Sequence, residues 1–349
     1  MAHNSHFAVI TVMILMASAL LPTSAEQCKS KYGEGCHDKS EALKLKVIAI
    51  FSILVTSMIG ICLPLFSRSV PALQPDRDLF VIVKAFASGV ILATGYMHVM
   101  PDSFDDLMSE CLPQRPWRKF PFTTFVAMLA AIFTLMIDSF SISYFNKKLS
   151  STAASTEGPE NKEEELFRHG HANVNGDDAM SVSAKQLLRY RVAAQVSSML
   201  ELGIVVHSVV IGLSMGASMN PCTIRPLIAA LCFHQLFEGM GLGGCILQAE
   251  YRSKVKAIMV FFFSTTTPFG IALGIGLSNV YSDTSPMALI VEGILNAISA
   301  GLLNYMALVE LLASDFMGPK LQGRIMLQVW SYVAVLLGAG GMSVMAIWA

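Results

Sequence analysis

Two histidines and a glutamate lie in stretches of the chain that are otherwise apolar. His234 and Glu238 are four residues apart, so on a helix their side chains share one face about a turn apart. His207 lies in the preceding apolar segment, and each histidine is followed by a polar residue, three further residues and a glycine. Imidazole nitrogen and carboxylate oxygen suit Zn²⁺, Fe²⁺ or Mn²⁺. The pattern predicts a metal site shared by two neighbouring helices. The alternative is a set of buried histidines hydrogen-bonded to Glu238.

A second pair of metal-ligand types lies near the end of an earlier apolar segment. His98 and Asp102 are again four residues apart, and three more acidic residues follow: Asp105, Asp106 and Glu110. This spacing predicts an acidic mouth that leads to a His/Asp pair. A solvated helix end is the alternative interpretation.

Other polar side chains interrupt the apolar segments. Asp138 shares a helical face with Thr134 and Ser141, which indicates a pathway lining, or a buried partner such as Lys84. The hydroxyls of residues 264–267 precede Pro268, and we expect them to bond to carbonyls that the proline kink leaves without donors.

Positioning these groups requires helices in a bilayer. The 349 residues are 54% hydrophobic and only 14% charged, and the net charge of −1 argues against a nucleic-acid partner. Eight apolar segments reach the length of about 20 residues that a membrane helix needs. They are Val47–Phe66, Leu79–Met100, Phe122–Phe145, Val192–Ala217, Pro226–Leu247, Ala257–Val280, Met287–Leu312 and Ile325–Trp348. We therefore predict an all-α polytopic membrane protein. Glu310, near the end of the seventh segment, is expected to be a solvated end residue, and a cytosolic exit ligand is the alternative.

The remaining segments are polar or processed. Residues 1–25 resemble a signal peptide, residues 26–46 are predicted to be extracellular, and residues 47–349 form the membrane domain. Within it, the polar connection 146–191 is predicted to be a disordered cytosolic loop whose His169 and His171 bind metal weakly. Cys28 and Cys36 could form an extracellular disulfide, whereas the other five cysteines are expected to be small apolar residues.

Loop charges orient the predicted helices. Most basic loop residues lie on the side of the first connection: Arg68, Arg77, Lys147, Lys148, Arg252, Lys254, Lys256, Lys320 and Arg324. The opposite side has Arg115, Arg118, Lys119 and Arg225. The positive-inside rule therefore places the first connection in the cytosol and the C-terminus outside.

The motifs together resemble the plant branch of the ZIP (Zrt/Irt-like protein) family of metal transporters. The resemblance covers the chain from about Cys28 onward. It rests on four stretches: His98 to Phe104, Pro116 to Phe122, His207 to Gly212 and His234 to Gly239.

This resemblance implies eight transmembrane helices in a 3+2+3 inverted-repeat arrangement, a homodimer, and movement of a divalent metal into the cytosol. By position, His207, His234 and Glu238 match the metal ligands, and Ser208 and Gln235 match weaker positions beside them. Three residues match the entrance pathway: His98, Asp102 and Asp138. Many relatives have a carboxylate where this chain has Ile211, so we expect one metal ion.

The short His169–His171 pair favours zinc as the transported ion, with iron(II) or manganese(II) as alternatives. A metal-dependent intramembrane hydrolase is the competing class of protein, but no His-Glu-x-x-His spacing occurs in the chain. A metal sensor is a third class, and no large soluble signalling domain supports it. We therefore expect no enzyme activity and no cofactor. The signal-like start favours the plasma membrane, so the bilayer and the metal ion are the expected partners.

Overall fold

A computed structural model of the protein describes residues 38–66, 77–156, 205–248, 251–278 and 285–347. Within these ranges the backbone is helical apart from short turns, and no β-strand occurs. The all-α prediction is confirmed. The principal helices are α1 (Lys39–Phe66), α2 (Asp78–Leu107), α3 (Phe122–Thr156), α4 (Val205–Ala217), α5 (Pro221–Gln248), α6 (Ser253–Leu277), α7 (Pro286–Phe316) and α8 (Ile325–Met345).

Each predicted apolar segment overlaps one of these helices. In the described part of the chain, seven helices are long and apolar enough to cross a membrane, and α4 is a shorter apolar helix. The structure differs from the prediction at α3, which continues to Thr156 and so includes the first residues of the predicted 146–191 loop. The signal peptide, Cys28, Cys36, His169 and His171 lie outside the described residues.

Helix pairing divides the bundle into two groups of four. In one group α1 packs on α5 and α6, and α4 packs on α6; in the other α2 packs on α8 and α7, and α3 packs on α7. The groups meet mainly where α2 contacts α5. Exchanging α1 with α6, α2 with α7, α3 with α8 and α4 with α5 turns each contact within the groups into a contact of the same set. A repeat of three helices would give this pattern, and the 3+2+3 inverted arrangement stays a prediction.

Glycines allow close contact on both sides of the helix pair that holds the predicted metal ligands. A Cβ added to Gly212 in α4 would lie 2.6 Å from the Thr267 carbonyl oxygen in α6. A Cβ added to Gly239 in α5 would lie 3.0 Å from the Phe263 ring. Both distances are below ordinary van der Waals contact, so these crossings need glycine. They let α4 pack directly on α6 and let the Phe263 side chain of α6 reach α5.

Ion pairs tie helices together at the ends of the bundle. Lys84 in α2 is buried and lies 3.0 Å from Asp315 in α7, so Lys84 is not the partner of Asp138 that the alternative interpretation of Asp138 named. Arg324 donates to both carboxylate oxygens of Asp78 at 2.5 and 2.6 Å. All three contacts lie within the α2, α3, α7 and α8 group.

Two cysteines that were expected to be apolar fillers have a different role. Cys111 follows α2 and Cys222 lies in the first turn of α5, and both are disulfide-bonded. The described cysteines with free thiols are Cys62, Cys232 and Cys245, which all lie within helices. The disulfide-bonded sulfurs therefore lie at one end of the bundle, the end where α2 finishes and α5 begins.

Candidate metal site

The His/Glu motif forms a buried group of donor atoms between α4 and α5. His234 Nε2 lies 3.6 Å from Glu238 Oε2, as the four-residue spacing predicts. The ring centroids of His207 and His234 are 5.4 Å apart, so α4 and α5 do bring the two histidines together. The three side chains are only 1%, 3% and 3% exposed. Among the described residues, both ring nitrogens of His207, Nε2 of His234 and Oε2 of Glu238 have no hydrogen-bond partner.

This lack of partners bears on the two interpretations of the motif. A buried polar atom without a hydrogen bond costs about 1–3 kcal/mol, and more when it is charged. If Glu238 hydrogen-bonded the histidines for purely structural reasons, these atoms would be paired. Imidazole nitrogen and carboxylate oxygen are also donor types that Zn²⁺ binds, and the metal site stays a prediction.

His98 lies nearer to this group than the sequence suggested. It is close enough to interact electrostatically with both His207 and His234, and both of its ring nitrogens are buried without a partner. A π-helical turn, Gly95–Val99, interrupts α2 at this point. Such turns are frequent at functional sites, and they change the direction of the side chains that follow. His98 therefore lies near the two histidines, and its role in the entrance pathway stays a prediction.

The donors do not yet surround a common point. Among the described residues, no three His, Cys, Asp or Glu side chains are gathered closely enough to enclose an ion as they stand. The 5.4 Å between the His207 and His234 ring centroids fits two imidazole ligands of one ion, and the 3.6 Å between His234 Nε2 and Glu238 Oε2 is close to the separation of about 3.4 Å expected for two tetrahedral ligands of Zn²⁺.

Ser208 and Gln235, the weaker positions of the predicted site, flank the two histidines and are each 1% exposed. The Gln235 side chain hydrogen-bonds to His234, which fixes the orientation of that ring. The Ser208 hydroxyl and the Gln235 Nε2 atom have no partner within the protein.

The predicted acidic mouth lies at the end of α2. Asp102 and Asp105 are exposed there, one turn and more beyond His98. Asp106 interacts electrostatically with both of them and with Glu292 of α7, which the sequence had not linked to this mouth. Asn296 Nδ2 also lies 3.5 Å from Asp106 Oδ2. The mouth is thus built from two helices.

The structure does not bring Asp138 together with His98 and Asp102. Helix α3 starts at the face where α2 ends, and Asp138 lies about 24 Å along it at ~1.5 Å per residue. There it accepts a 3.0 Å hydrogen bond from Tyr305 and is hydrogen-bonded to Glu310.

The position of Glu310 also differs from the prediction. It is 4% exposed and not a solvated end residue, because the π-helical segment Met306–Ala313 turns it into the bundle. Neither this burial nor the role of Tyr305 had a signal in the sequence.

Comparison with known proteins gives a consistent result. The family model described as "ZIP Zinc transporter" matches residues 43–346, which include every described helix of the site. The "Fe(2+) transport protein 1" of Oryza sativa subsp. japonica is 62% identical over 326 residues, 90% of this chain and 86% of the relative.

Relatives named for different metals are similarly close. In Arabidopsis thaliana, "Fe(2+) transport protein 1" is 56% identical over 366 residues and the whole of both chains. "Probable zinc transporter 10" is 55% identical over 364 residues, 100% of this chain and 99% of the relative. With the multi-pass helical fold, these matches show that the chain belongs to the ZIP zinc transporter family.

Proposed function

We propose that this protein carries a divalent transition-metal ion across the membrane into the cytosol, and that His207, His234 and Glu238 bind the ion. The observation that carries the proposal is the set of buried donor atoms on α4 and α5 without partners in the protein. His98 is the fourth candidate donor, supplied by α2.

A carrier must bind its substrate and also release it. Nitrogen and oxygen donors without a thiolate give an exchangeable site for a divalent metal, whereas clusters of cysteine thiolates hold Zn²⁺ tightly enough to stabilise a fold.

The disulfides support the proposed direction of transport. Cys111 and Cys222 lie at the end of the bundle that holds Asp102, and disulfides persist in oxidising compartments outside the cytosol. This agrees with the loop charges, which place the opposite end in the cytosol. The acidic mouth would then face the outside and concentrate cations there.

Zinc is the proposed main substrate, with Fe²⁺ and Mn²⁺ as alternatives. The donor set suits all three ions, and the relatives are named for zinc and for Fe(2+) transport. Ile211, one turn from His207, is apolar, so we propose that one ion is bound at a time. The relatives' names support a carrier that is not an enzyme and needs no cofactor.

Two further proposals rest on the resemblance and the signal-like start. The protein is proposed to act at the plasma membrane and as a homodimer. Cross-linking in native membranes tests the homodimer, and cross-linked products that are all monomeric would contradict it.

The test is metal uptake by purified protein in liposomes. Wild-type protein should take up ⁶⁵Zn²⁺, and His207→Ala or His234→Ala should nearly abolish uptake with the protein still inserted and monodisperse. Ser343→Ala is a matched control, since the Ser343 hydroxyl bonds to the Ala339 carbonyl of its own helix at 2.8 Å. Full uptake by both histidine variants would refute the site, and no uptake by the wild type would refute the function.

A further inference from the structure

The segment between α2 and α3 carries three cations that the loop charges do not explain. Arg115, Arg118 and Lys119 lie on the side of the bundle where the positive-inside rule predicts few basic residues. Arg225, the fourth basic residue of that side, pairs with Glu41 of α1. The other three side chains are exposed, and none of them has an ion-pair partner among the described residues. Their charges are therefore available to an anionic partner.

An aromatic cluster lies around these cations in the chain. The ring centroids of Trp117 and Phe122 are 4.8 Å apart. The Phe120 centroid lies 4.7 Å from that of Phe122 and 5.2 Å from that of Phe125. Aromatic pairs at such separations stabilise each other. The cluster is not buried, however, since Phe120 is 43% exposed and Phe125 is 39% exposed. A group of exposed apolar rings indicates contact with another molecule or with the membrane.

The length of α3 places the cluster at a membrane boundary. The apolar part of α3, Phe122–Phe140, has 19 residues. These residues span about 28 Å at ~1.5 Å per residue. The hydrocarbon core is ~30 Å thick, and the headgroup region adds about 5–7 Å on each side. Residues 115–121 directly precede Phe122, so they lie at the level of the phospholipid headgroups.

One face of α3 continues the cluster into the bilayer. Helix α3 packs mainly on α7, which leaves an apolar face exposed. After Phe125, exposed apolar side chains follow at helical spacing: Met128, Leu129, Ile132, Phe133 and Met136. Steps of three and four residues put them on one side of the helix. Phe120 contacts Phe125 at the start of this face, so the cluster lies on the lipid side of α3.

We propose that residues 115–125 form a binding surface for anionic phospholipids. Arg115, Arg118 and Lys119 bind headgroup phosphates, and the aromatic cluster lies among the first carbons of the acyl chains. Aromatic rings concentrate at this level of a membrane, and arginine matches a phosphate group with paired N–H donors. A zwitterionic headgroup brings a cation of its own, so anionic lipid is preferred. This inference goes beyond the proposed function and does not depend on it.

The lipid surface is connected to the acidic mouth. Thr123, at the start of α3, is 1% exposed and accepts a 3.1 Å hydrogen bond from Ser103 of α2. Ser103 is the neighbour of Asp102, so lipid bound at the start of α3 holds the helix end that carries the mouth. Three uncompensated cations at this end of the bundle would repel a divalent metal ion, and bound phosphate groups offset their charge.

Quenching of Trp117 fluorescence by brominated lipids tests the surface. The protein is the full chain with Trp330→Phe and Trp348→Phe, which leaves Trp117 as its single tryptophan. It is reconstituted in phosphatidylcholine liposomes that contain an equal fraction of brominated phosphatidylglycerol or brominated phosphatidylcholine. Brominated phosphatidylglycerol should quench Trp117 more strongly, because the anionic lipid is enriched around the cations.

Removing the cations should remove the preference. In Arg115→Gln/Arg118→Gln/Lys119→Gln, the affinity for phosphatidylglycerol relative to phosphatidylcholine should fall by about fivefold or more, since one Lys or Arg near a membrane surface contributes about fivefold. The three side chains are exposed and form no ion pair with a described residue, so this variant should fold and remain monodisperse.

A matched control changes the same charge at the opposite end of the bundle. Arg252→Gln/Lys254→Gln/Lys256→Gln alters the start of α6 and should leave the quenching of Trp117 unchanged. Equal quenching by the two brominated lipids, or a preference that survives loss of the three cations near Trp117, would overturn the lipid surface. Weak quenching by both lipids would also overturn it, and would indicate that a second copy of the chain covers the cluster. The measurement uses no metal ion, so its result is independent of the proposed function.

Discussion

Replacing Glu238 by methionine should change the stability of the protein in opposite directions with and without metal. Glu238 is 3% exposed and its Oε2 atom has no protein partner. Methionine is similar in length and carries no polar atom that needs a hydrogen bond. Removing an unsatisfied buried group should raise the free energy of unfolding of the metal-free protein by about 1–3 kcal/mol.

The metal-bound protein should respond in the other direction. A ligand at 100 times its dissociation constant stabilises the native state by about 2.7 kcal/mol. The variant lacks the carboxylate, the one anionic ligand of the proposed site, so it should lose most of that gain. Glu238→Met should therefore melt above the wild type in EDTA, and its advantage should disappear in saturating Zn²⁺.

Thermal unfolding in detergent, monitored by size-exclusion chromatography, measures the stability without metal and with metal. The dissociation constant of Zn²⁺ is first measured by titration of the wild type, and the Zn²⁺ concentration is then set to 100 times that value. Asp315→Asn is the control: it leaves Lys84 buried without its 3.0 Å partner, so stability should fall with and without metal while the zinc-induced shift remains. If Glu238→Met is destabilised in EDTA, or keeps the full zinc shift, Glu238 is a structural residue and not a ligand.

Four other outcomes are expected. Because ligand histidines must be neutral and the carboxylate ionised, the zinc-induced shift should shrink as the pH falls from about 7.5 to about 5.5; an equal shift at both values would contradict this. Asp102→Ala should slow uptake at low metal concentration without changing the melting temperature, and normal uptake would remove Asp102 from the pathway. Removing one partner of a buried ion pair costs about 3–5 kcal/mol. Adding Lys84→Met to Asp315→Leu should therefore recover much of the stability that Asp315→Leu alone loses. Additive losses would argue against an ion pair between Lys84 and Asp315. An epitope tag after Ala349 should be labelled on intact cells, and labelling that needs permeabilisation would reverse the topology.

The sequence was most informative where a residue was out of place in its surroundings. An ionisable side chain within an apolar segment is costly, so His207, His234 and Glu238 stand out in the amino-acid sequence alone. Their helical spacing then predicted the contact between His234 and Glu238. The lengths of the apolar segments predicted the helices, although α3 continues to Thr156 because no apolar boundary marks where a helix ends.

Roles that depend on a neighbouring helix were predicted less well. Asp138 and Lys84 both looked like buried charges in need of partners, but their partners are Tyr305 and Asp315 of α7. Helical periodicity shows which residues share a face and says nothing about which helix that face contacts. Likewise, the four hydroxyls of residues 264–267 looked equivalent, but in the part of the chain that the structure describes only those of residues 265 and 266 donate to carbonyls of their own helix.

The amino-acid sequence by itself therefore determined the class of protein, the helices and the donor types, since these follow from local composition and spacing. Tertiary structure decided which donors meet, because that depends on helix pairing and on two π-helical turns. A π turn adds one residue, which redirects the side chains after it by about 100° at 3.6 residues per turn. Gly95–Val99 and Met306–Ala313 in this way bring His98 and Glu310 into the bundle. No regular helical pattern predicts that shift, because it arises where two helices must fit against each other.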